Sequence, residues 1–441
     1  MKLLQLPFRK LLDSIKASYW FVPALLLLCT LLLTQVLLYV DSRVAVSDIL
    51  LLKHFAQYSP ESGRAVLTAV ATSMISVASI AFSITIVTLT LASSQFGPRL
   101  IRNFMMDRGT QFVLGFFLST FIYCLLVIQS IKTFDNNNYV PEISVFFAVV
   151  LATVGVGILV YFIHHVAKSI QADKVINNVY CELNNLIASI FPDSDNSMHR
   201  SDEPLPALQD WYQHQVALIA RDSGYIQMID YSRLRKCARQ LDIAVDIRHS
   251  PGDFICAGTP LAQVHFRNVE WESCQNDIID CVLLGANRTP VQDPEYAIHQ
   301  LVEIALRALS PGINDPYTAI TVIDKLGAVM CDLTTRTFHA AVIRDDSGAV
   351  RVVTKPATFT GMGNVAFDQI RQSATSVVSV TIRLLETLAA IGSVARRGEQ
   401  RDFVCRQVEL IEQAQRNIEM SDGDRGDIER RIEAAGCYTA Q

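Results

Sequence analysis

Residues 65–98 read AVLTAVATSMISVASIAFSITIVTLTLASSQFGP, 34 positions without an Asp, Glu, Lys, Arg or His. A bilayer core about 30 Å thick takes roughly 20 apolar residues to cross as a helix. At a rise of 1.5 Å per residue this segment makes about 51 Å of helix, so it must tilt strongly or project beyond the hydrocarbon. It also holds 11 Ser/Thr, where the apolar stretch Tyr19–Val40 has only Thr30 and Thr34. At 100° per residue, Thr68, Thr72, Ser76, Ser79, Ser83, Thr90, Ser93 and Ser94 fall within an arc of about 100°. Ala65 and Gly97 share that arc, and only Ile75 and Ile86 interrupt it. Two readings fit such a stripe. Small residues let helices approach closely while each hydroxyl bonds back to a carbonyl one turn earlier. Alternatively, the hydroxyls line a water-filled or ion-conducting path around an oligomer axis. With no ionisable residue in the stripe, a proton relay is excluded.

Working outward, three more stretches are long and apolar enough to span: 17–40, 109–131 and about 143–167. The first is too long for the apolar core of a signal peptide and lacks a small-x-small cleavage site, so it reads as a retained helix. Lys2, Arg9, Lys10, Lys16, then Arg99, Arg102, Arg108, then Lys168 and Lys174 flank one side of the four spans. The loop 132–142 on the other side has only Lys132, and the loop 41–64 is balanced. The positive-inside rule therefore places both termini in the cytoplasm of a bacterial inner-membrane protein. Residues 1–18 read as a short basic amphipathic helix at the interface, and 19–167 as the four-helix transmembrane domain. His164 and His165 at the end of the fourth span suit interface anchoring, since adjacent helical positions do not face one another.

Charge divides the chain. Residues 1–167 carry 11 Lys/Arg against 7 Asp/Glu, and residues 168–441 carry 27 against 36. An acidic second half excludes nucleic acid as a partner and argues against that half lying flat on anionic lipid. Ten cysteines are scattered without a CxxC or a zinc-spaced Cys/His set, which fits reduced, buried thiols and gives no metal site.

Behind the spans, 168–190 reads as a helix continuing out of the membrane, and 192–206 as a polar, Pro-bounded linker within a connecting region 168–222. Residues 223–267 alternate in short strands around a helix capped by Asp230, with Pro251-Gly252-Asp253 as a turn. The run PGDFICAGTPLAQV resembles the second half of a biotinyl/lipoyl-type barrel. That resemblance implies a small β-barrel-like unit, and the lack of a Lys at a hairpin tip removes any carrier cofactor. Residues 268–441 read as mainly helical, with one β-hairpin around Asp345-Asp346-Ser347-Gly348. Trp271–Leu284 reads as one helix, and the tail from Val365 as two long helices broken near Arg396–Gly398. Asp293-Pro294 and Asp315-Pro316 each match a helix cap followed by a first-turn Pro. Between those helices, Ser310, Pro311, Gly312, Asn314, Asp315 and Pro316 form either a tight connection or a set of groups presented to an anion at a helix start. Gly361-Met362-Gly363-Asn364-Val365-Ala366 spells a dinucleotide fingerprint, but no parallel strand follows it and Glu386 lies in a helix.

Several of these segments together are similar to one bacterial family of predicted membrane proteins, domain of unknown function 2254. They are Ala92-Ser93-Ser94-Gln95-Phe96-Gly97-Pro98-Arg99-Leu100, Ser223-Gly224-Tyr225-Ile226-Gln227, Pro251-Gly252-Asp253-Phe254, and above all GANRTPVQDPEYAIHQLVEIALRALSPGINDPYTAI at 285–320. The resemblance implies an integral membrane protein and supports the architecture without assigning an activity.

The fold expected is thus an α-helical membrane domain of four transmembrane helices followed by an α+β cytoplasmic domain with a small β-barrel-like unit and helical hairpins. The sequence holds no nucleophile elbow, HExxH or P-loop, so no catalytic residue, cofactor or metal is assigned. The functional expectation is an oligomeric channel or transport-type protein, its partners the lipid bilayer and further copies of itself. The alternative is a membrane-anchored sensor or scaffold acting through the Ser310–Pro316 turn.

Overall fold

The computed structural model describes residues 20–43, 58–97, 105, 107–132, 139–193, 208, 212–267 and 271–436. The amphipathic segment 1–18, Arg99 and Arg102 of the basic connector, and most of the linker 192–206 lie outside them. The chain divides into two compact units, Met1–Lys174 and Val175–Gln441.

Among the described residues the first unit holds four helices long and apolar enough to cross a membrane: α1 (Phe21–Asp41), α2 (Pro60–Phe96), α3 (Arg108–Ser130) and α4 (Glu142–Ser169). Capping sets where two of them begin. The Ser59 hydroxyl accepts the Ser62 amide ahead of Pro60 at the start of α2, and Asp107 accepts the Thr110 amide at the start of α3. Helix α3 is central, with α1, α2 and α4 all packed on it. Leu67, Ala71, Tyr123, Cys124, Val127, Val145 and Ala148 form one layer of the core. Met74, Ala78, Ala81, Val113, Leu114, Phe117 and Phe162 form another. Glycine permits the closest approach. A Cβ on Gly115 would lie 2.7 Å from Leu26 Cδ1 and 2.9 Å from Pro23 Cα. At the end of α1, the Asp41 carboxylate accepts the backbone amides of Ile143 and Ser144 at 2.9 and 3.0 Å, and also the Ser144 hydroxyl. It thereby satisfies the unpaired amides at the start of α4 from another helix.

The helix expected to continue unbroken from the fourth span is interrupted at Ile170–Gln171, and α5 (Ala172–Ile190) begins after the break. In the second unit the strands are β1 (His214–Ile219), β2 (Gly224–Ile229), β3 (Ala244–Ile247), β4 (Phe254–Ile255), β5 (Pro260–Phe266), β6 (Val282–Gly285), β7 (Val342–Arg344) and β8 (Val350–Thr354). They form a five-stranded sheet in the order β1-β5-β3-β8-β7 and a three-stranded sheet in the order β4-β2-β6. All pairings are antiparallel except β3 with β8.

The expected barrel-like unit is not there. Within PGDFICAGTPLAQV, β4 pairs with β2 in one sheet, while β5 joins β1 and β3 in the other. The chain changes sheets at the turn containing Gly258 (φ 84°), a left-handed position that suits glycine. Each sheet keeps two edge strands among the described residues, so neither closes. The five-stranded sheet also draws on β1, which lies in the expected connecting region, and on β8, about a hundred residues further on. Leu218, Ile226, Ile229, Val245, Ile247, Ile255, Val264 and Val352 from both sheets share one core. Leu234 and Ala238 of α6 (Tyr231–Gln240) and Ile278 of α7 (Trp271–Ile279) enter it too. The expected helix 271–284 therefore ends at Ile279, and Cys281 lies beyond it at the edge of β6.

Six further helices are α8 (Pro294–Ala308), α9 (Pro316–Leu333), α10 (Phe359–Ser373), α11 (Val378–Val394), α12 (Gly398–Gln415) and α13 (Asp422–Gly436). The tail is thus four helices where two were expected; the break at Arg396–Gly398 is there, and two more stand at 374–377 and 416–421. The GxGxxA spelling has a packing explanation. Thr358 caps α10 by accepting the Gly361 amide, and a Cβ on Gly363 would meet the Phe403 ring at 2.4 Å. Gly363 is small because α12 passes there.

Candidate functional site

Helix α2 presents two opposed faces. Gly63, Leu67, Ala71, Met74, Ala78, Ala81, Thr85, Ala92 and Phe96 are buried, and α2 packs against α3 and α4. Thr68, Thr72, Ser76, Ser79, Ser83, Thr90 and Ser94 are all exposed. The stripe therefore does not pack the chain's own bundle together; a separate alanine-rich face does that work. Five of its seven hydroxyls are internally occupied. Ser76 donates to Thr72 O at 2.7 Å, Ser79 to Ile75 O at 2.9 Å and Ser83 to Ser79 O at 3.0 Å. Thr90 and Ser94 do likewise to Ile86 O and Leu91 O. A hydroxyl has one proton and two lone pairs. With their protons spent on the backbone, these five offer acceptor oxygens to whatever lies beside them, while Thr68 and Thr72 make no such bond among the described residues. At the start of the helix, Glu61, Arg64, Thr68, Thr72 and Ser73 line an open depression, and Arg64 donates to Ile131 O at 3.0 Å.

The end of α4 carries a second polar cluster. His165 Nε2 lies 2.7 Å from Asp107 Oδ2, and the same carboxylate accepts the Thr110 amide and hydroxyl at 3.0 and 2.7 Å. The His165 ring stacks on Tyr161, and Gly109 makes room for it, since a Cβ there would lie 2.8 Å from Nε2. Burial raises the Asp107 carboxyl, but the hydrogen bonds from Thr110 and His165 outweigh it and hold the group below its ordinary value. His165 thus joins α4 to the start of α3, whereas His164 is exposed.

The Ser310–Pro316 turn is closed on itself. The Ile313 and Asn314 amides donate to Ser310 O, and the Asp315 amide to Ala308 O. Asp315 accepts the Thr318 amide and hydroxyl, occupying one of the first-turn amides of α9 that an anion would use. Asn314 takes the left-handed conformation (φ 49°) that its short side chain tolerates. Pro311, Gly312 and Asn314 are exposed, Ser310, Asp315 and Pro316 half-buried.

A third assembly was not legible along the chain. Three segments singled out separately in the sequence meet at one place in the second unit. The Gly252 amide donates to Ile226 O and the Ile226 amide to Asp253 O, while Gln227 Nε2 donates to Asn287 O. Arg288 grips Asp293 with two bonds of 2.8 and 2.9 Å, and Asp293, only 2% exposed, also caps α8. Gly252 (φ 99°) lies against this pair, where a Cβ would fall 2.2 Å from Asp293 Oδ2. Burial, then the nearby Asp293 and Asp253, push the Glu295 carboxyl above its ordinary value against the pull of Arg288 and Lys355. The paired charges satisfy one another, so the assembly acts as a clamp between the three-stranded sheet and α8. Nothing in the spacing of these motifs says that they touch; the only signal was that each holds turn residues and charges together.

A family model described as predicted membrane protein (DUF2254) matches residues 16–390. The uncharacterized protein Rv1290c of Mycobacterium tuberculosis and the uncharacterized protein Mb1321c of Mycobacterium bovis are each 30% identical over 422 residues, covering 95% of this chain and 80% of theirs. No solved structure matches.

Proposed function

We propose, for a chain that belongs to the DUF2254 family of predicted membrane proteins, that it is an oligomeric channel or transport-type protein of the bacterial inner membrane, with copies of α2 lining the path. The observation that carries this reading is the outward hydroxyl face of α2, left uncovered by α1, α3 and α4. Lipid requires nothing of a helix surface but apolarity, and several exposed positions of α2 supply it: Ile80, Phe82, Ile84 and Val87. The seven hydroxyls contribute nothing to lipid contact that Leu would not. Around a symmetry axis they form a wetted, uncharged wall.

The wall also has a sign. Five of the seven hydroxyls present acceptor oxygens rather than donors, which favours cations over anions, and residues 168–441 are acidic by 36 to 27. With both termini in the cytoplasm, the second unit serves as an acidic cytoplasmic vestibule or regulatory domain. The reading therefore specifies passage of small cations ahead of chloride. Purified full-length protein in liposomes should release potassium faster than chloride, and Ser79→Leu with Ser83→Leu should cut that release sharply. A monomer in nanodiscs, or flux indifferent to those two substitutions, overturns the reading.

A second reading, a membrane-anchored sensor or scaffold, draws on Ile313 and Tyr317 beside the Ser310–Pro316 turn, which are 45% and 81% exposed. Tyr317→Ser should then abolish recovery of a partner in crosslinking from native membranes while leaving flux unaltered. No partner lost on that change removes it.

A further inference from the structure

The second unit is acidic, yet α6 reads YSRLRKCARQ, with four cations and no carboxylate in ten residues. Leu234 and Ala238 bury the helix on the sheet core. At 100° per residue, Arg235, Lys236, Arg239 and Gln240 then share an arc of about 140°. Facing that arc is the turn between β7 and β8. Between the two is a half-enclosed cavity of about 190 Å³, lined by Arg235, Lys236, Arg239, Gln240, Asp345 and Asp346.

The charges around the cavity do not cancel. Asp345 is fully engaged: it accepts the Ser347 and Ala349 amides and receives Arg351 Nε at 2.7 Å, where Arg351 is 8% exposed. Those contacts, the Ser347 hydroxyl first and Arg351 next, hold its carboxyl far below the ordinary range. Asp346 pairs with Arg239 at 2.7 Å, an exposed contact of the kind that contributes little and is readily exchanged. Arg235 and Lys236 have no ion pair or hydrogen bond among the described residues. Two uncompensated cations and the Gln240 amide thus point at one cavity in a domain whose overall sign is opposite.

We propose that this cavity binds a phosphate group, with Arg235 and Lys236 as the primary contacts and Arg239 exchanging Asp346 for the ligand. Arg presents a planar fork matched to phosphate oxygens, and Lys adds a compact point charge. A phosphate group spreads its charge over several oxygens and can meet both cations and the amide together. The group is carried either by an anionic lipid headgroup or by a soluble phosphate compound, which share this chemistry.

The test uses full-length protein in zwitterionic phosphatidylcholine nanodiscs. Hydrogen exchange over 231–240 is followed while inorganic pyrophosphate is added at low salt, and separately in nanodiscs containing phosphatidylglycerol. Protection that responds to pyrophosphate identifies a soluble source; protection that responds only to phosphatidylglycerol identifies a headgroup. Either should fade as salt screens the contacts. Arg235→Gln with Lys236→Gln should weaken the response about tenfold or more, the expected loss for charge-assisted contacts. Arg235→Lys with Lys236→Arg should retain it, and both pairs should melt with the wild type because the side chains make no ion pair or hydrogen bond among the described residues. Unaltered exchange with both probes, or a Gln pair that responds like wild type, overturns the proposal.

Discussion

Helices α1 and α2 are both long and apolar enough to cross a membrane, and both leave most of their surface uncovered by the chain. What they leave uncovered differs. Along α1 it is Leu25, Leu28, Leu31, Leu32, Leu33 and Val36, a surface fit for lipid and nothing else. Along α2 it is a row of hydroxyls from Thr68 to Ser94 among scattered Ile, Val and Phe. Their lengths differ as well: 21 residues, about 32 Å, against 37 residues, about 56 Å. The contrast separates what a bilayer demands from what it merely tolerates. A helix that only needed to span would look like α1, so the excess in α2 calls for a function.

Exchanging the two exposed surfaces is the strongest way to break that comparison. Ser79→Leu with Ser83→Leu on α2 should cut cation flux by about tenfold or more, the effect of a barrier rise of about 1.4 kcal/mol. Leu28→Ser with Leu32→Ser on α1 should leave flux unaltered; equal effects from both exchanges would erase the distinction.

Next in size is the seam that holds α1 in place. Gly115→Leu should cost about 1–3 kcal/mol by overpacking against Leu26 and Pro23, seen as earlier thermal unfolding in detergent. Gly157→Leu on α4, where nothing lies within 4 Å of the new Cβ, is the control and should melt as wild type. The tie at the end of α1 is comparable. Asp41→Ala removes every hydrogen bond that caps α4 from α1 and should cost about 1–2 kcal/mol. A wild-type melting profile would mean that solvent replaces the carboxylate there.

A smaller, pH-dependent effect belongs to Asp107. Its carboxyl is held below the ordinary value, so its stabilisation is present above the unfolded value of about 4 and is lost as pH falls through the folded one. Wild type should be more stable than Asp107→Asn at neutral pH, and the two should converge in acid. A gap that widens on acidification would contradict the sign. The smallest effect is on the α2 surface itself. Ser73→Ala removes only a hydroxyl bonded to its own backbone, at Ala69 O, and should change stability by less than about 0.5 kcal/mol. A larger loss would show that α2's exposed face is stabilised by contacts within the chain.

Legibility followed the range of the interactions. The spans were readable because twenty apolar residues in a row have few other uses, and the caps Asp230, Asp293 and Asp315 because each acts on an amide three positions on. The expected barrel failed because PGDFICAGTPLAQV specifies strands and a turn but not their partners, and β4 and β5 pair in different sheets. β1 lies inside a region that reads as connector, since HQVALI alternates for too few residues to stand out. The helix expected to 284 ends early because the apolar residues flanking Asp280 within 278–284 serve a helix end and a buried strand equally well.

Among the candidate site residues, periodicity placed the α2 hydroxyls on one face but left open what that face meets. The packed bundle decided that the alanine side is inside and the hydroxyl side outside. The α6 cations were visible as RLRKCAR, yet single positions carry no sign of being compensated; only the engagement of Asp345 by Arg351 leaves Arg235 and Lys236 in excess. By itself, then, the amino-acid order determined the four apolar helices, the acidic second half, the helix starts and the family. These rest on solvation and on contacts a few residues apart. The two unclosed sheets, the Gly252–Arg288–Asp293 clamp and the outward turn of the α2 stripe were decided by tertiary structure. Each depends on which distant surfaces exclude water from one another, and no local property of the chain encodes that choice.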